Sequence, residues 1–261
     1  MPKRTLHDAR VVLTGASSGI GRDLAKLLCE GGANVIAVAR RQSMLDDLAD
    51  ECVGARGRLY TLVGDVTVDD VRTRAMSTAD EVLGGLDLLI NNAGVGAIGA
   101  FADANEARLR QVMEVNFFAA SQWTRDALPL LRRGRLPMIV NIGSILGYRA
   151  IGNSSEYCSS KFAIRGLSQA LRAELQPQGV HVLHVAPGPT ETDFFDHLVE
   201  QRGEAAWRGR PKTPASIVAR RIIRAIENDR RESIPSVSGW FYCLADRIAP
   251  SVVDWAIRRM S

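Results

Sequence analysis

The 261-residue sequence predicts an α/β protein built on a doubly wound parallel sheet, and three observations carry that prediction. Short apolar runs alternate with stretches of helical periodicity along most of the chain. A glycine-rich turn joins the first apolar run to the first helical stretch. No linker, repeat or low-complexity tract interrupts the alternation. Strand–helix order of this kind lays strands side by side in parallel through right-handed crossovers, covers both faces of the sheet with helices, and leaves ligands at the carboxyl ends of the strands.

In order along the chain, residues 10–13, 34–39, 59–63, 86–90, 138–142 and 180–185 read as buried strands. Residues 19–30, 43–52, 68–83, 105–131 and 155–175 carry apolar residues at three- and four-residue spacing and read as helices. Thr67 with Asp70 has the form of a capping box before the third of these. The irregular stretch 187–213 has the size of an active-site lid. A helix over 214–228 and a short strand near 233–235 follow. The chain then runs through Gly239–Ile248 and Ser251–Met260, which read as two short helices, apolar on one side and basic on the other. The expected organisation is one domain over 1–236, its lid at about 189–213, with a helical extension over 237–261 packed on that domain or on an oligomer partner.

A chain of this length buries a core without disulfides or metal. Cys29, Cys52, Cys158 and Cys243 are scattered, with no CxxC pair, so neither a zinc site nor a disulfide framework is expected, and no metal ligands are assigned. The N-terminus has charges but no apolar core of a secretory signal, and no run approaches transmembrane length; the expected location is cytoplasmic. The net charge of +4 comes from 33 basic residues interspersed among 29 acids, which describes solvated faces and gives no nucleic-acid footprint.

Chemistry enters with Tyr157 and Lys161, in a helical stretch that begins soon after Ser144. An i,i+4 spacing puts phenol and ammonium on one helix face, with Cβ atoms about 5–6 Å apart. A cation ~5 Å from a phenolate, at an effective dielectric of ~20, stabilises it by roughly 3 kcal/mol, about two pK units. A phenol drawn toward neutrality is a general acid or base, as carbonyl reduction and alcohol oxidation require. The chain uses Lys only at positions 3, 26, 161 and 212 and otherwise Arg, so a compact ammonium at 161 stands out.

The turn after the first strand reads Thr14-Gly15-Ala-Ser-Ser-Gly19-Ile-Gly21 and leads into a helix. Its glycines let the backbone approach a pyrophosphate, which the amides and dipole of the helix N-terminus then hold. Past the second strand, where an NAD-binding chain offers a carboxylate to the ribose 2′-hydroxyl, this one has Arg40 and Arg41. A guanidinium pairs with a 2′-phosphate, so the expected cofactor is NADP(H), with Arg40 the nearer candidate because it directly follows the strand.

Taken together, these residues resemble the classical short-chain dehydrogenase/reductase family, over roughly residues 10–193. The resemblance is carried by the glycine motif from Thr14, Asp65-Val66 after the third strand, Asn91-Asn92-Ala93-Gly94 after the fourth, Asn116 within 105–131, Ser144 after the fifth strand, Tyr157 with Lys161, and Pro187-Gly188 with Thr192 after the sixth. It implies a Rossmann-type fold and a catalytic set of Asn116, Ser144, Tyr157 and Lys161. Tyr157 would exchange a proton with the substrate oxygen, Ser144 would position that oxygen, Lys161 would depress the Tyr157 pKa and hold the nicotinamide ribose, and Asn116 would support a water connecting Lys161 to solvent. The implied cofactor site comprises Gly15, Ser17, Ser18, Gly19, Ile20, Gly21, Arg40, Arg41, Asp65, Val66, Asn92, Ala93, Gly94, Tyr157, Lys161, Pro187, Gly188, Thr190 and Thr192.

The chain departs from one branch of that family. Many relatives that reduce carrier-bound 3-oxoacyl groups end in a glycine-rich strand that helps to build a tetramer, and this chain ends in helices instead. A homo-oligomer, dimer or tetramer, is still expected. Docking of the C-terminal helices on the domain or a partner copy is favoured over contact with a membrane surface, for which Trp240, Phe241, Tyr242, Trp255, Arg258 and Arg259 are the candidates. The lid mixes Phe194, Phe195, Leu198, Val199 and Trp207 with Arg202, Arg208, Arg210 and Lys212, a mixture that fits either an apolar or amphipathic substrate or packing of the lid on its own domain. The leading function is an NADP(H)-dependent carbonyl reductase or alcohol dehydrogenase. The alternatives are a 3-oxoacyl thioester reductase and a regulator that senses NADP(H) without chemistry.

Overall fold

The structure, a computed structural model, describes residues 4–202 and 211–258. Along the chain it forms β1 (Arg10–Thr14), α1 (Gly19–Glu30), β2 (Asn34–Ala39), α2 (Gln42–Glu51), β3 (Arg58–Val63), α3 (Asp69–Glu81), β4 (Leu88–Asn91), α4 (Glu106–Met113), α5 (Ala120–Leu131), β5 (Met138–Ile142), α6 (Ser155–Leu175) and β6 (His181–Val185). The lid region contributes β7 (Thr190–Glu191) and β8 (Thr213–Pro214), and α7 (Ala215–Glu227), β9 (Glu232–Ser233), α8 (Val237–Ile248) and α9 (Pro250–Arg258) follow.

Among the described residues, seven strands make one parallel sheet in the order β3-β2-β1-β4-β5-β6-β9, and β7 pairs with β8 apart from it. Strand order reverses between β1 and β4, so the crossovers on the two sides diverge there and leave a crevice at the strands' carboxyl ends. This is the Rossmann-like doubly wound sheet the alternation predicts.

Strand residues alternate between two cores. Val11 and Leu13 of β1 point toward Leu24 and Leu28 of α1, Leu45 and Leu48 of α2, and Val218, Ile222 and Ile226 of α7. Val12, between them, points the other way, into Val71, Ala75 and Ala79 of α3 and Trp123, Ala127 and Leu131 of α5. Both faces are therefore covered, which explains why the strands read as nearly continuous apolar runs.

Three local expectations change. The strand expected over 86–90 is confined to 88–91, because Asp87 is drawn into hydrogen bonds from the Arg10 backbone and guanidinium (3.0 and 2.7 Å) and from the Arg135 backbone at 2.6 Å. Burial alone would raise the Asp87 pKa, but these bonds overcome it and hold the carboxylate below its ordinary value. The capping box at Thr67 and Asp70 is absent: Val68 is the N-cap of α3, and Thr67 instead gives both its N–H and its hydroxyl to Asp65 Oδ1, at 3.0 and 2.8 Å. Finally, the single helix expected over 105–131 is two α-helices joined by a π-helical turn over Glu114–Ala119. The expected lid aromatic Trp207 and its arginines Arg208 and Arg210 lie outside the described residues.

Candidate active site

A cleft of about 310 Å³ opens at the switch point, and all the residues assigned to the cofactor line it, as does Ser144. Its floor at one end is the turn after β1. Gly15 sits there at φ +68°, and a Cβ on it would lie 2.8 Å from the Ala93 backbone. At Gly21 the backbone approach is closer still, since a Cβ would come within 2.2 Å of the Gly15 carbonyl oxygen. The second strand-end loop is clamped on the first: Asn92 gives its side-chain amide to the carbonyls of Thr14 and Gly15 at 3.0 and 2.9 Å, while Thr14 Oγ1 accepts from the N–H groups of Asn92 and Ala93. The Asn91–Gly94 segment thus builds the loop as well as lining the cleft.

The N-terminus of α1 is open to that loop. Its N-cap, Ser18, makes no capping bond and its first turn holds no acid, in contrast to α4 and α8, whose N-caps Asn105 and Ser236 accept backbone N–H groups. Thr192 leans over the turn from the lid side, its methyl 2.7 Å from where a Gly19 Cβ would stand. At the far end Arg41 bonds Ser17 Oγ at 3.1 Å and Ser18 Oγ at 2.7 Å. Arg40, two-thirds exposed, faces Asp65 at 3.7 Å.

At the other end, β5 ends beside Ser144, and α6 presents Tyr157 and Lys161 on the same wall. The Ser144 side chain stands close enough to the Tyr157 phenol to draw its pKa down. Lys161 Nζ lies 5.5 Å from the centre of the Tyr157 ring and donates to the Ile142 carbonyl at 3.2 Å. Gly94 keeps the ammonium open to the cleft, for a Cβ there would stand 3.5 Å from Lys161 Nζ.

The electrostatics differ from the sequence expectation. Burial pushes the Tyr157 phenol well above its ordinary value, with Ser144 pulling it partly back. Burial also lowers Lys161, to about 8. Lys161 directs its proton at a backbone carbonyl and not at the phenol, and burial sets the direction of the Tyr157 shift.

Asn116 does not line the cleft. It sits in the π-helical turn, where its side chain donates to the Val95 carbonyl and Ser160 Oγ, both at 2.9 Å, and accepts from the Val95 N–H at 2.8 Å. The extra backbone residue of a π turn re-aims the side chain inward toward the strand-end loop, a common use of such turns. The residue thus ties the π turn to Val95 and to Ser160, the neighbour of Lys161.

One contributor escapes sequence reasoning. Glu156, next to Tyr157, is fully buried and receives the Arg108 guanidinium of α4 at 2.6 and 3.0 Å, while Arg108 also reaches Glu200 of the lid at 3.4 Å. Phe194 of the lid stands over the catalytic wall, its ring 5.6 Å from that of Tyr157. Phe194 was legible as a lid aromatic; nothing in the local sequence marks Arg108 and Glu156 as partners. No cluster of His, Cys, Asp or Glu among the described residues could hold a metal ion.

The family model of the short chain dehydrogenase matches residues 9–203. The chain belongs to the short-chain dehydrogenase/reductase family. Short-chain dehydrogenases are oxidoreductases that act on CH–OH groups of small molecules with a nicotinamide cofactor. Relatives of this chain in the family include a protein of Nostoc named ketoacyl reductase HetN, 33% identical over 230 residues, which are 88% of this chain and 79% of its own. Another is a 3-ketodihydrosphingosine reductase of Bacteroides thetaiotaomicron, 36% identical over 187 residues, 72% of this chain and 66% of its own. A short chain dehydrogenase from Burkholderia cenocepacia, solved in complex with NADP, superposes with a TM-score of 0.80 at 26% identity, over 97% of this chain and 99% of its own. One from Burkholderia phymatum, in complex with NAD, shares the fold at a TM-score of 0.86 and 24% identity, over 95% of this chain and 96% of its own.

Proposed function

We propose that this short-chain dehydrogenase is NADP(H)-dependent and interconverts a lipophilic or amphipathic ketone or aldehyde with its alcohol. The observation that carries the reading is the meeting of Ser144, Tyr157 and Lys161 on one wall of a cleft whose other end is a glycine turn flanked by two arginines. The residues fit a dinucleotide: the glycines leave space no Cβ would allow, and the α1 amides have no side-chain cap to displace.

When bound, the nicotinamide supplies or accepts the hydride. The phenol of Tyr157 gives a proton to the substrate oxygen in reduction and takes it back in oxidation, and its raised pKa keeps the proton in place until charge develops on that oxygen. Ser144 hydrogen-bonds the same oxygen. Lys161 lies where ribose hydroxyls would replace the Ile142 carbonyl as its partner, and Asn116 holds the backbone at Val95 where a water would link Lys161 to solvent. Arg40 and Arg41 would hold the 2′-phosphate, Arg41 braced by the loop serines.

Phe194, Phe195 and Leu198 line the cleft near Tyr157, which favours an apolar substrate. A 3-oxoacyl thioester reductase is the second reading, supported by the Nostoc relative's name. We also infer a homo-oligomer, since Leu109, Phe118 and Phe162 stand exposed on α4, the π turn and α6. The test is loss of NADPH absorbance across ketones, aldehydes, quinones, steroids and acyl thioesters. Turnover with apolar ketones or aldehydes and a preference for NADPH are expected. An NADH affinity equal to or better than that for NADPH defeats the cofactor assignment, and binding without turnover on every substrate makes the protein a sensor. Arg40→Asp is expected to shift preference toward NADH by at least about tenfold, a lost charge-assisted bond plus a new repulsion.

A further inference from the structure

The first of the two C-terminal helices, α8, is inverted. In α8 the residues turned to the domain are Gly239, Tyr242, Cys243 and Asp246, while Val237, Trp240, Phe241 and Ile248, at helical spacing along one stripe, stand between 49% and 72% exposed. A helix docked on a domain turns its apolar stripe inward; this one turns it to solvent, and α9 adds Val252 to the same exposed surface type. The Trp240 and Phe241 rings pack edge to face, which holds the stripe together as an aromatic ridge.

Charge decides what covers it. The two acids of the helical pair, Asp246 and Asp254, both turn to Arg149 of the domain. The charge left outside beside the stripe, among the described residues, is cationic: Arg247 is exposed there. The pair also borders the cleft. Ser236, the cap of α8, stands against Gly188, and Ile257 of α9 packs with Leu146, Ile151 and Cys158 next to Tyr157.

We propose that the outer face of α8 and α9 seats the protein on an anionic phospholipid bilayer, with aromatic side chains in the interface and Arg247 at the headgroups, and the cleft beside the lipid surface. The cleft-side consequence rests on the reductase reading; the seating itself does not.

The test is co-sedimentation of the full-length protein with vesicles of phosphatidylcholine alone and of phosphatidylcholine mixed with phosphatidylglycerol, comparing wild type, Trp240→Ser/Phe241→Ser and Arg247→Glu. Wild type is expected to pellet with the anionic vesicles and to be released by salt. The double variant is expected to lose at least about tenfold in partitioning, and Arg247→Glu to lose the preference for phosphatidylglycerol. Wild type remaining in the supernatant with both vesicle types overturns the proposal. So does a double variant that pellets as wild type does, or one whose only change by light scattering is a fall from dimer to monomer, which would assign the face to a second copy of this chain. A double variant that does not fold leaves Arg247→Glu, an exposed single change, to decide.

Discussion

The Tyr157 phenol is desolvated against Ser144 and Phe194, and Lys161 beside it is buried and donates to the Ile142 carbonyl. Tyr157→Phe removes only the transferable proton; kcat is expected to fall by about 10²–10⁴-fold, with the NADPH dissociation constant, read by fluorescence titration, unchanged. Lys161 makes a stability prediction whose sign follows from its lowered pKa. The unfolded chain holds the Lys161 proton up to its ordinary value, the folded chain only to about 8. Between those values the unfolded state binds more protons, so this group's contribution to stability rises with pH. The difference in urea midpoint between wild type and Lys161→Met is expected to move in favour of wild type from about pH 7.5 to about pH 9.5; a shift the other way would show that the ammonium is not penalised by burial.

At the scale of elements, α6 carries the phenol and α4 holds α6. The Arg108–Glu156 pair is closed to water at both ends and ties the residue preceding Tyr157 to a neighbouring helix and, through Glu200, to the lid. Removing one partner strands the other charge, so Arg108→Met is expected to lower unfolding free energy by about 3–5 kcal/mol, and Arg108→Met/Glu156→Met to recover most of it, both read by urea denaturation. The position of Tyr157 and Lys161 on α6 was legible because an i,i+4 spacing is a property of four consecutive bonds. The partnership of residues 108 and 156 was not, since it depends on how two helices cross. The π-helical turn was hidden for a related reason: one extra residue in a turn leaves the apolar spacing of 105–131 almost unchanged, and only the Asn116 bonds to Val95 and Ser160 reveal what the turn is for.

Over the whole molecule, one cation fastens the C-terminal helices to the sheet domain. Arg149 pairs with Asp246 at 3.4 Å and with Asp254, so a single substitution removes an ion pair from each of α8 and α9. Arg149→Ser is expected to raise amide exchange across 237–258 and to raise KM for an apolar ketone while leaving NADPH affinity unchanged; unchanged exchange would show that apolar contacts around Ile257 suffice. This coupling explains why the C-terminal sequence was only half readable. Its two amphipathic helices were evident from periodicity, but periodicity says that an apolar face exists and not which way it turns.

By itself the sequence determined the order of strands and helices, the glycine turn after β1 and the Tyr157–Lys161 pair, since each is written in residues near one another along the chain. The tertiary structure alone decided that Arg41 meets that turn and Ser144 the phenol, that Asn116 turns to Val95 and Ser160 instead of the cleft, that burial sets the direction of the phenol's pKa shift, and that α8 turns its apolar stripe outward. These depend on desolvation and on contacts between distant segments, and both exist only once the sheet has closed over its two cores.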